Sequence, residues 1–328
     1  MTGGPLIEVR NASKTYAAPA LDGFSMAIHA DKPSITAVVG ESGSGKTTLA
    51  RLMLGLIAPT TGQVLYKGRD LATLRGGGRR EFLRDVQAIF QDPYGVFNPF
   101  YRVDHVLMTP VARFKLAASR TEGRRLIEYA LRSVGLQPEE ILGRFPHQLS
   151  GGQRQRIMVA RALLLSPKLI VADEPVSMVD ASLRATILGS LRQLNQEMGI
   201  SILYITHDLA TAYQVSDSIL VMYRARVVEA GSVEAVVKQP HHPYTKLLLS
   251  SIPKVATTRD WLTGEAPSDQ TAPASVGCGF AARCPLVRDT CRVAQPPMFR
   301  IGDRQAAACY EYESAPRLDG DELDRVLA

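Results

Sequence analysis

Short apolar segments, separated by turn residues, alternate with longer amphipathic segments along most of this chain. Ile35–Val39, Leu169–Ala172 and Ile200–Ile205 are almost continuously apolar. Short runs of this kind, bounded by polar or turn residues, are typical of buried strands. A helical pattern separates the last two runs, which predicts a βαβ arrangement and an α/β fold.

Weaker patterns predict the remaining elements. Apolar residues recur every three or four positions in 126–134 and 157–164, and each set predicts one face of a helix. Short or alternating apolar segments predict further strands at Leu6–Arg10, Phe24–Ile28, Gln63–Tyr66 and Val86–Phe90, and a hairpin made of Ile219–Met222 and Arg226–Ala230.

Three other features of the chain concern loops and boundaries. Gly76–Gly78, beside three arginines, predict a mobile surface loop. After Val237, Pro, Ser and Thr become common, so we place a domain boundary near 236–240. The polar, acidic segment Glu313–Ala328 is expected to fray.

Composition limits the class of protein. Hydrophobic residues make up 45% of the 328 residues, enough to bury a core. No apolar run approaches the ~18 residues that span a bilayer, and the amino terminus lacks the basic start and apolar segment of a signal peptide. We therefore expect a cytosolic chain whose membrane role needs partner subunits. The net charge is +6, but no aromatic and basic stripe accompanies it, so nucleic-acid binding is not favoured.

A phosphate-binding loop follows the first buried strand. Residues 40–47 fit the pattern G-x-x-x-x-G-K-[ST], with a predicted helix after them. The glycines allow several backbone N–H groups to face the phosphates, Lys46 supplies a positive charge to the β- and γ-phosphates, and Thr47 can ligate Mg²⁺. The predicted ATP-binding residues here are Gly40, Glu41, Ser42, Gly43, Ser44, Gly45, Lys46, Thr47 and Thr48.

Two acids end the second buried strand. Asp173 at the strand end is predicted to face the metal, usually through water, and Glu174 to reach the attacking water as a general base. Such a base must lie within hydrogen-bond reach of the proton that it removes. An acidic turn that caps the next helix is the alternative.

A second motif indicates how the triphosphate is used. Together with the phosphate loop, the sequence Leu149, Ser150, Gly151, Gly152, Gln153 resembles the ATP-binding subunit of an ABC transporter. The resemblance implies a P-loop NTPase with a RecA-like core, an antiparallel β subdomain and an α-helical subdomain at about 92–165. These would form a nucleotide-binding domain over 1–236, followed by a small cysteine-containing extension over 237–328.

The resemblance also implies a dimer and several residue roles. The Ser-Gly-Gly segment of one subunit would close over the γ-phosphate that another subunit holds, and hydrolysis would open the pair. Gln91 would contact Mg²⁺ and water, His207 would contact the γ-phosphate and orient the water of Glu174, Tyr16 would stack on adenine, and Asp180 would cross the interface. A solvent-facing glutamine, a buried histidine and an exposed tyrosine are the plainer readings of these positions.

The carboxyl-terminal part resembles a narrower group of transporters. Gln239–Leu248 and Gly277–Pro285 are similar to segments of oligopeptide, dipeptide and nickel importers, which implies peptide import. It also implies a second, paralogous ATPase, two membrane permeases, a solute-binding protein and a peripheral location on the cytoplasmic face of the membrane. Pro93–Phe100, and Phe97 within it, would contact a coupling helix of a permease, or else form a packed loop. Import of nickel or another small solute, and a soluble ABC ATPase without a transport role, are the alternatives.

The cysteines form a cluster in the extension. Cys278, Cys284, Cys291 and Cys309 are separated by 5, 6 and 17 residues, and the first 277 residues contain no cysteine. A zinc site usually includes a tight C-x₂₋₄-C pair, which is missing here, and Cys284 precedes a proline as in some iron–sulfur runs. We favour a [4Fe–4S] cluster, with zinc second, two disulfides third, and unliganded thiols as the plain alternative.

Overall fold

The computed structural model describes residues 4–92, 94–177, 179, 181–251, 276–318 and 322–327. The strands in these ranges are β1 (Ile7–Thr15), β2 (Pro19–Ile28), β3 (Ile35–Val39), β4 (Thr61–Tyr66), β5 (Arg69–Asp70), β6 (Val86–Ile89), β7 (Leu169–Asp173), β8 (Ser201–Thr206), β9 (Ser218–Tyr223), β10 (Arg226–Ser232), β11 (Phe299–Gly302) and β12 (Gln305–Ala307). The helices are α1 (Lys46–Met53), α2 (Gly76–Asp85), α3 (Val103–Phe114), α4 (Arg120–Ser133), α5 (Pro138–Ile141), α6 (Gly151–Leu163), α7 (Ala181–Met198), α8 (Leu209–Val215), α9 (Val233–Lys238), α10 (Pro243–Ser250), α11 (Asp289–Val293) and α12 (Leu323–Leu327).

An eight-stranded sheet forms the centre of the molecule, in the order β11-β12-β10-β9-β3-β8-β7-β6. The strands from β9 to β6 along this order are parallel. Every residue of β3 is buried, because helices cover both faces of a parallel sheet and leave no polar side to the strand. The register pairs Val39 with Thr206 and Asp173 with Ile205, so the carboxyl ends of β3, β7 and β8 meet at one edge.

A second, antiparallel sheet is built from the order β2-β1-β4-β5, and its apolar residues share a core with α1. The helix α2 follows this sheet. The prediction of a mobile loop at Gly76–Gly78 was therefore wrong, because these residues belong to α2. The glycines form the first turn of α2, and Phe82 further along is 1% exposed. Burial of a phenyl ring contributes about 1.5–3 kcal/mol, which offsets the roughly 0.5–1 kcal/mol that each of the three glycines costs the helix.

Four helices, α3 to α6, lie between β6 and β7 in the chain and make a helical unit. Ile127, Ala130 and Leu131 on α4 are buried, as the helical periodicity predicted. They pack in one cluster with Ile157 and Ala160 of α6 and with residues of the central sheet. Among the described helices, none is long and apolar enough to cross a membrane.

The carboxyl-terminal extension adds β11 and β12 to the central sheet, next to β10. Glu229 of β10 is fully buried, and its carboxylate accepts hydrogen bonds from the backbone N–H groups of His241 and His242 and from the Gln305 side chain. Burial raises the pKa of Glu229, and these hydrogen bonds act in the opposite direction. This buried acid therefore holds the start of α10 against the sheet.

The helix α12 packs onto the antiparallel sheet, contrary to the expectation that the segment Glu313–Ala328 frays. Val326 of α12 is fully buried, and Leu323 is buried beside it. The Asp324 carboxylate accepts a hydrogen bond of 2.7 Å from the backbone N–H of Ala27 in β2. The polar composition of this segment concealed two apolar positions on one side of a short helix.

Candidate nucleotide site

The phosphate-binding loop joins β3 to α1, and its backbone at two positions, Gly40 and Gly45, requires glycine. Gly40 and Gly45 have φ angles of +155° and +106°. A Cβ atom would lie 2.1 Å from the Met222 carbonyl oxygen at Gly40, and 2.4 Å from the Ala20 carbonyl oxygen at Gly45. The glycines of the motif thus let the loop pass close to neighbouring backbone, with the amino end of α1 following directly.

Lys46 is the first residue of α1, and its ammonium group lies inside the loop. It donates hydrogen bonds to the carbonyl oxygens of Gly40 (2.7 Å) and Glu41 (2.8 Å), and to the Ser44 hydroxyl (3.3 Å). Burial lowers the pKa of Lys46, while the nearby carboxylates, Glu174 first among them, favour its charged form. A buried cation at the amino end of a helix, inside a glycine-containing loop, is suited to binding an anion.

Asp173 ends β7 on the same edge of the sheet. Burial and the charge of Glu174 raise the pKa of Asp173, and a hydrogen bond from Thr47 and the charge of Lys46 lower it. A carboxylate and a hydroxyl in contact beside a phosphate-binding loop are the oxygen ligands that Mg²⁺ prefers.

Glu174 follows the strand in a left-handed backbone conformation, with φ of +48°. Its backbone N–H donates to the Ile205 carbonyl of β8 at 2.9 Å, so the neighbouring strand fixes this turn. Non-glycine residues in this region are strained, and such strain is concentrated at functional sites. The conformation directs the side chain towards two other predicted site residues.

Gln91, Glu174 and His207 form a hydrogen-bonded chain at the end of the central strands. Gln91 Nε2 donates to Glu174 Oε2 at 3.0 Å, and His207 Nδ1 lies 3.0 Å from Glu174 Oε1. The Glu174 side chain is 17% exposed and that of His207 59% exposed. A carboxylate oriented on both oxygens, with an exposed imidazole beside it, can accept a proton from a water at the loop.

The Leu149–Gln153 motif begins α6. Ser150 is the N-cap: its hydroxyl accepts from the Gln153 N–H, and the Gln153 side chain accepts from the Ser150 N–H. Gly152 is buried, and a Cβ atom there would lie 2.6 Å from Leu183 Cδ1. Ser150 and Gly151 leave the helix start accessible, which is a local arrangement suited to an anion.

Tyr16, directly after β1, is 57% exposed, and the Lys14 ammonium lies 5.3 Å from the centre of its ring. A free aromatic face of this kind can stack on a base. Asp180 lies outside the described residues.

The chain is similar to proteins of known families. The ABC transporter family matches residues 21–177, and the oligopeptide/dipeptide transporter, C-terminal region family matches residues 228–291. A peptide ABC transporter ATP-binding protein of Sinorhizobium fredii is 44% identical over 83% of this chain and 77% of its own length. The oligopeptide transport ATP-binding protein OppF of Escherichia coli is 40% identical over 84% of this chain and 83% of its own. The chain belongs to the ABC transporter ATP-binding family.

A solved member of the ABC family has the same fold. The ATP-binding cassette MJ0796, in a dimeric post-hydrolysis state with ADP and Pi, superposes with a TM-score of 0.61 at 27% identity. The match covers 69% of this chain and 98% of that one. The predicted ABC-type α/β fold is confirmed, and ATP hydrolysis is the reaction of this enzyme class.

The four cysteines of this ABC ATPase line one pocket of the extension. Cys291 is buried, the other three are half-buried, and all four are free thiols. Burial raises the pKa of Cys278 and Cys284, and it raises that of Cys309 to about 11; neighbouring cysteines contribute in the same direction. Across the ranges that the structure covers, no group of three or more His, Cys, Asp or Glu side chains is placed to hold one metal ion.

Two contacts of the site escaped the sequence reasoning. Tyr244 of α10 and Arg283 of the cysteine-bearing segment both contact Glu41 in the phosphate loop. Both residues are far from the loop in the sequence, so spacing does not predict these contacts. The one signal in the sequence is the aromatic residue in the Pro-Tyr-Thr segment of the extension.

Phe97, predicted as a partner contact, is 7% exposed and packs in the core, whereas Phe100 is 86% exposed.

Proposed function

We propose that this ABC ATPase hydrolyses ATP between two paired subunits to power the uptake of peptides. The observation that carries the proposal is the division of one chain into two half-sites. The phosphate loop, Glu174 and His207 meet at the edge of the central sheet, whereas the accessible helix start at Ser150 belongs to the separate helical unit. Relatives named as peptide ABC transporter and oligopeptide transport ATP-binding proteins support the transport role.

The residues of the first half-site have distinct roles in the proposal. The loop N–H groups and Lys46 hold the β- and γ-phosphates. Thr47, Gln91 and Asp173 would hold Mg²⁺, and the ion would neutralise charge that develops on the phosphates. Glu174 accepts the proton of the attacking water, and His207 contacts the γ-phosphate and orients that water.

The second half-site acts on the ATP of the partner. Ser150 and Gly151 would bind the γ-phosphate held by the other subunit with hydroxyl and N–H groups at the amino end of α6. Asp180 would cross the interface, and Tyr16 would stack on the adenine of its own nucleotide. Two bound ATP molecules would join the subunits, and loss of the γ-phosphates would release them.

The proposed assembly includes two permease subunits, a solute-binding protein and a second ATPase, which we propose to be a paralogue. The chain would lie on the cytoplasmic face of the membrane, attached through its permeases. Nickel or another small solute is the second candidate cargo. We further propose that 1–236 acts as the nucleotide-binding domain, with its helical subdomain at about 92–165, and that 237–328 acts as the extension.

Phe100 offers a test of the transport role. Its exposed ring lies in the segment after Gln91, where a permease contact is proposed. In proteoliposomes with the complete transporter, Phe100→Asp should lower peptide uptake roughly tenfold, because a central aromatic contact is lost, while basal ATP hydrolysis persists. Uptake of a labelled peptide and release of phosphate measure the two rates.

Tyr213→Asp is the matched control, since Tyr213 is also an exposed aromatic residue but lies on α8, outside the helical unit. It should leave uptake unchanged. Equal uptake by Phe100→Asp and the control would contradict the contact, and failure of the native transporter to take up peptides would contradict the proposed cargo.

We also propose that the cysteine pocket holds a [4Fe–4S] cluster. A single zinc ion requires its sulfur ligands at about 2.3 Å from one centre. A [4Fe–4S] cluster binds each of four thiolates through a different iron, so the sulfurs stand further apart around a common space. All four thiols line one pocket, which is the observation that supports a shared ligand, and cluster binding would offset the cost of ionising them there. The cluster would cross-link the extension.

Anaerobic purification tests the cluster. The native chain should show a broad visible absorption band and contain roughly four irons and four sulfides per chain. Cys284→Ser and Cys309→Ser should lose most of the band and of the iron. A colourless, iron-free anaerobic preparation would contradict the cluster, and stoichiometric zinc in that preparation would favour the second candidate.

A further inference from the structure

Glu41, the second residue of the phosphate loop, is held from three directions. Its backbone N–H donates to the Tyr244 hydroxyl at 2.9 Å. Its carbonyl accepts from Lys46, and its carboxylate lies 3.3 Å from the Arg283 guanidinium. Two of these three contacts come from the carboxyl-terminal extension. We propose that Tyr244 and Arg283 are positioning residues for ATP binding, so that the extension completes the phosphate site.

Tyr244 is placed rigidly for this role. The residue is fully buried, and its backbone N–H donates to the ring of His242, the N-cap of α10. His242 is in turn held by the buried carboxylate of Glu229 on β10. Because the phenol is fixed through the central sheet, its hydroxyl offers the loop one defined acceptor. The beginning of the loop, where the chain leaves β3, is thereby tied to a second element.

Arg283 acts on charge. Glu41 is an acid at the entrance of a site for a polyanion, so its free carboxylate would repel the phosphates. The Arg283 side chain, 18% exposed, neutralises it, and its guanidinium lies 5.6 Å from the centre of the Phe280 ring. Phe280 contacts Tyr244 edge-on, with ring centres 5.7 Å apart. The two positioning residues therefore belong to one packed cluster.

The turn that carries Arg283 lies between two of the cysteines. Its backbone N–H groups donate within the turn, from Ala281 to the Cys278 carbonyl at 3.0 Å and from Arg283 to the Phe280 carbonyl at 3.0 Å. Cys284 follows immediately. The position of the guanidinium is therefore set by the segment that lines the cysteine pocket.

Equilibrium titration of the full-length chain with a non-hydrolysable ATP analogue tests the proposal. Tyr244→Phe removes only the hydroxyl and leaves the Glu41 N–H without its acceptor, so the dissociation constant should rise about three- to tenfold. Arg283→Gln should raise it by about threefold or more, because a partly exposed ion pair is lost and a carboxylate is freed next to phosphates. Arg283→Lys should recover most of this loss. Saturated turnover of the assembled transporter should stay within about twofold of native for each variant.

The Glu41→Gln background separates the two residues. Arg283 acts through the carboxylate, so Arg283→Gln should have no further effect once Glu41 is neutral. Tyr244 acts through the backbone, so the Tyr244→Phe loss should persist there. Tyr310→Phe and Arg288→Gln are matched controls in the extension, because Tyr310 donates to the Gln295 carbonyl and Arg288 pairs with Glu311. Both controls should bind the analogue as the native chain does.

The proposal rests on the phosphate loop being the nucleotide site, and Lys46→Ala distinguishes the two failures. If Lys46→Ala weakens binding while Tyr244→Phe and Arg283→Gln match their controls, the positioning role is overturned. An unchanged loss from Arg283→Gln in the Glu41→Gln background would overturn the role assigned to Arg283. If Lys46→Ala binds as the native chain does, the nucleotide site itself is wrongly assigned.

Discussion

Replacing Glu174 with Gln will abolish ATP turnover and leave ATP binding intact. The amide keeps the size of the side chain: its oxygen can still accept from Gln91 and its NH₂ group can face His207, the two residues that lie 3.0 Å from the carboxylate oxygens. It cannot accept the proton of the attacking water. General bases contribute roughly 10²–10⁴ in rate, so phosphate release from the assembled transporter should fall by that factor.

Glu197→Gln is the control for this substitution. Glu197 lies on α7, apart from the site residues in the sequence, and it accepts a hydrogen bond from Gln193. It should turn over at the native rate. Native turnover by Glu174→Gln would remove Glu174 from the role of base, and a parallel loss of ATP affinity would show that its carboxylate acts in binding.

Replacing Lys46 with Ala will instead weaken nucleotide binding. The buried ammonium lies inside the phosphate-binding loop, where it donates to two loop carbonyl oxygens. Hydrogen bonds to charged groups contribute about 1.5–3 kcal/mol, so the dissociation constant for ATP should rise by about 10- to 100-fold. Equilibrium titration of the full-length chain measures it.

Lys238→Ala provides the comparison, because Lys238 is exposed on α9 and forms an ion pair with the nearby Glu234. ATP affinity should not change in that variant. Equal affinity of Lys46→Ala and Lys238→Ala would contradict the assignment of the loop. Thermal unfolding of both variants excludes a loss of fold as the cause.

The position of the predicted nucleotide residues at one edge of the sheet could be foreseen because it depends on local sequence. The glycines at 40 and 45 occupy backbone conformations that other residues would block, and Lys46 must follow them directly to lie inside the loop. The apolar strands that end at Val39 and Asp173 lead into the site, and parallel pairing brings their ends together. The residues that follow these strands in the sequence therefore lie close together in the site.

Contacts between distant segments could not be predicted in this way. The hydrogen bond from Glu41 to Tyr244 joins residues 203 positions apart, and the Glu41–Arg283 pair joins residues 242 positions apart. Hydropathy also does not predict the burial of single side chains. Phe97 and Phe100 have the same hydropathy, yet Phe97 lies in the core and Phe100 in solvent. Burial of this kind depends on the packing of whole elements.

The central claim is that ATP joins two subunits, each of which completes the site of the other. Sedimentation of the Glu174→Gln chain, alone and mixed with its partner ATPase, tests this most directly. Addition of ATP and Mg²⁺ should convert separate subunits into a stable dimer, and ADP should not. Subunits that remain separate although titration shows ATP bound to them would contradict the account.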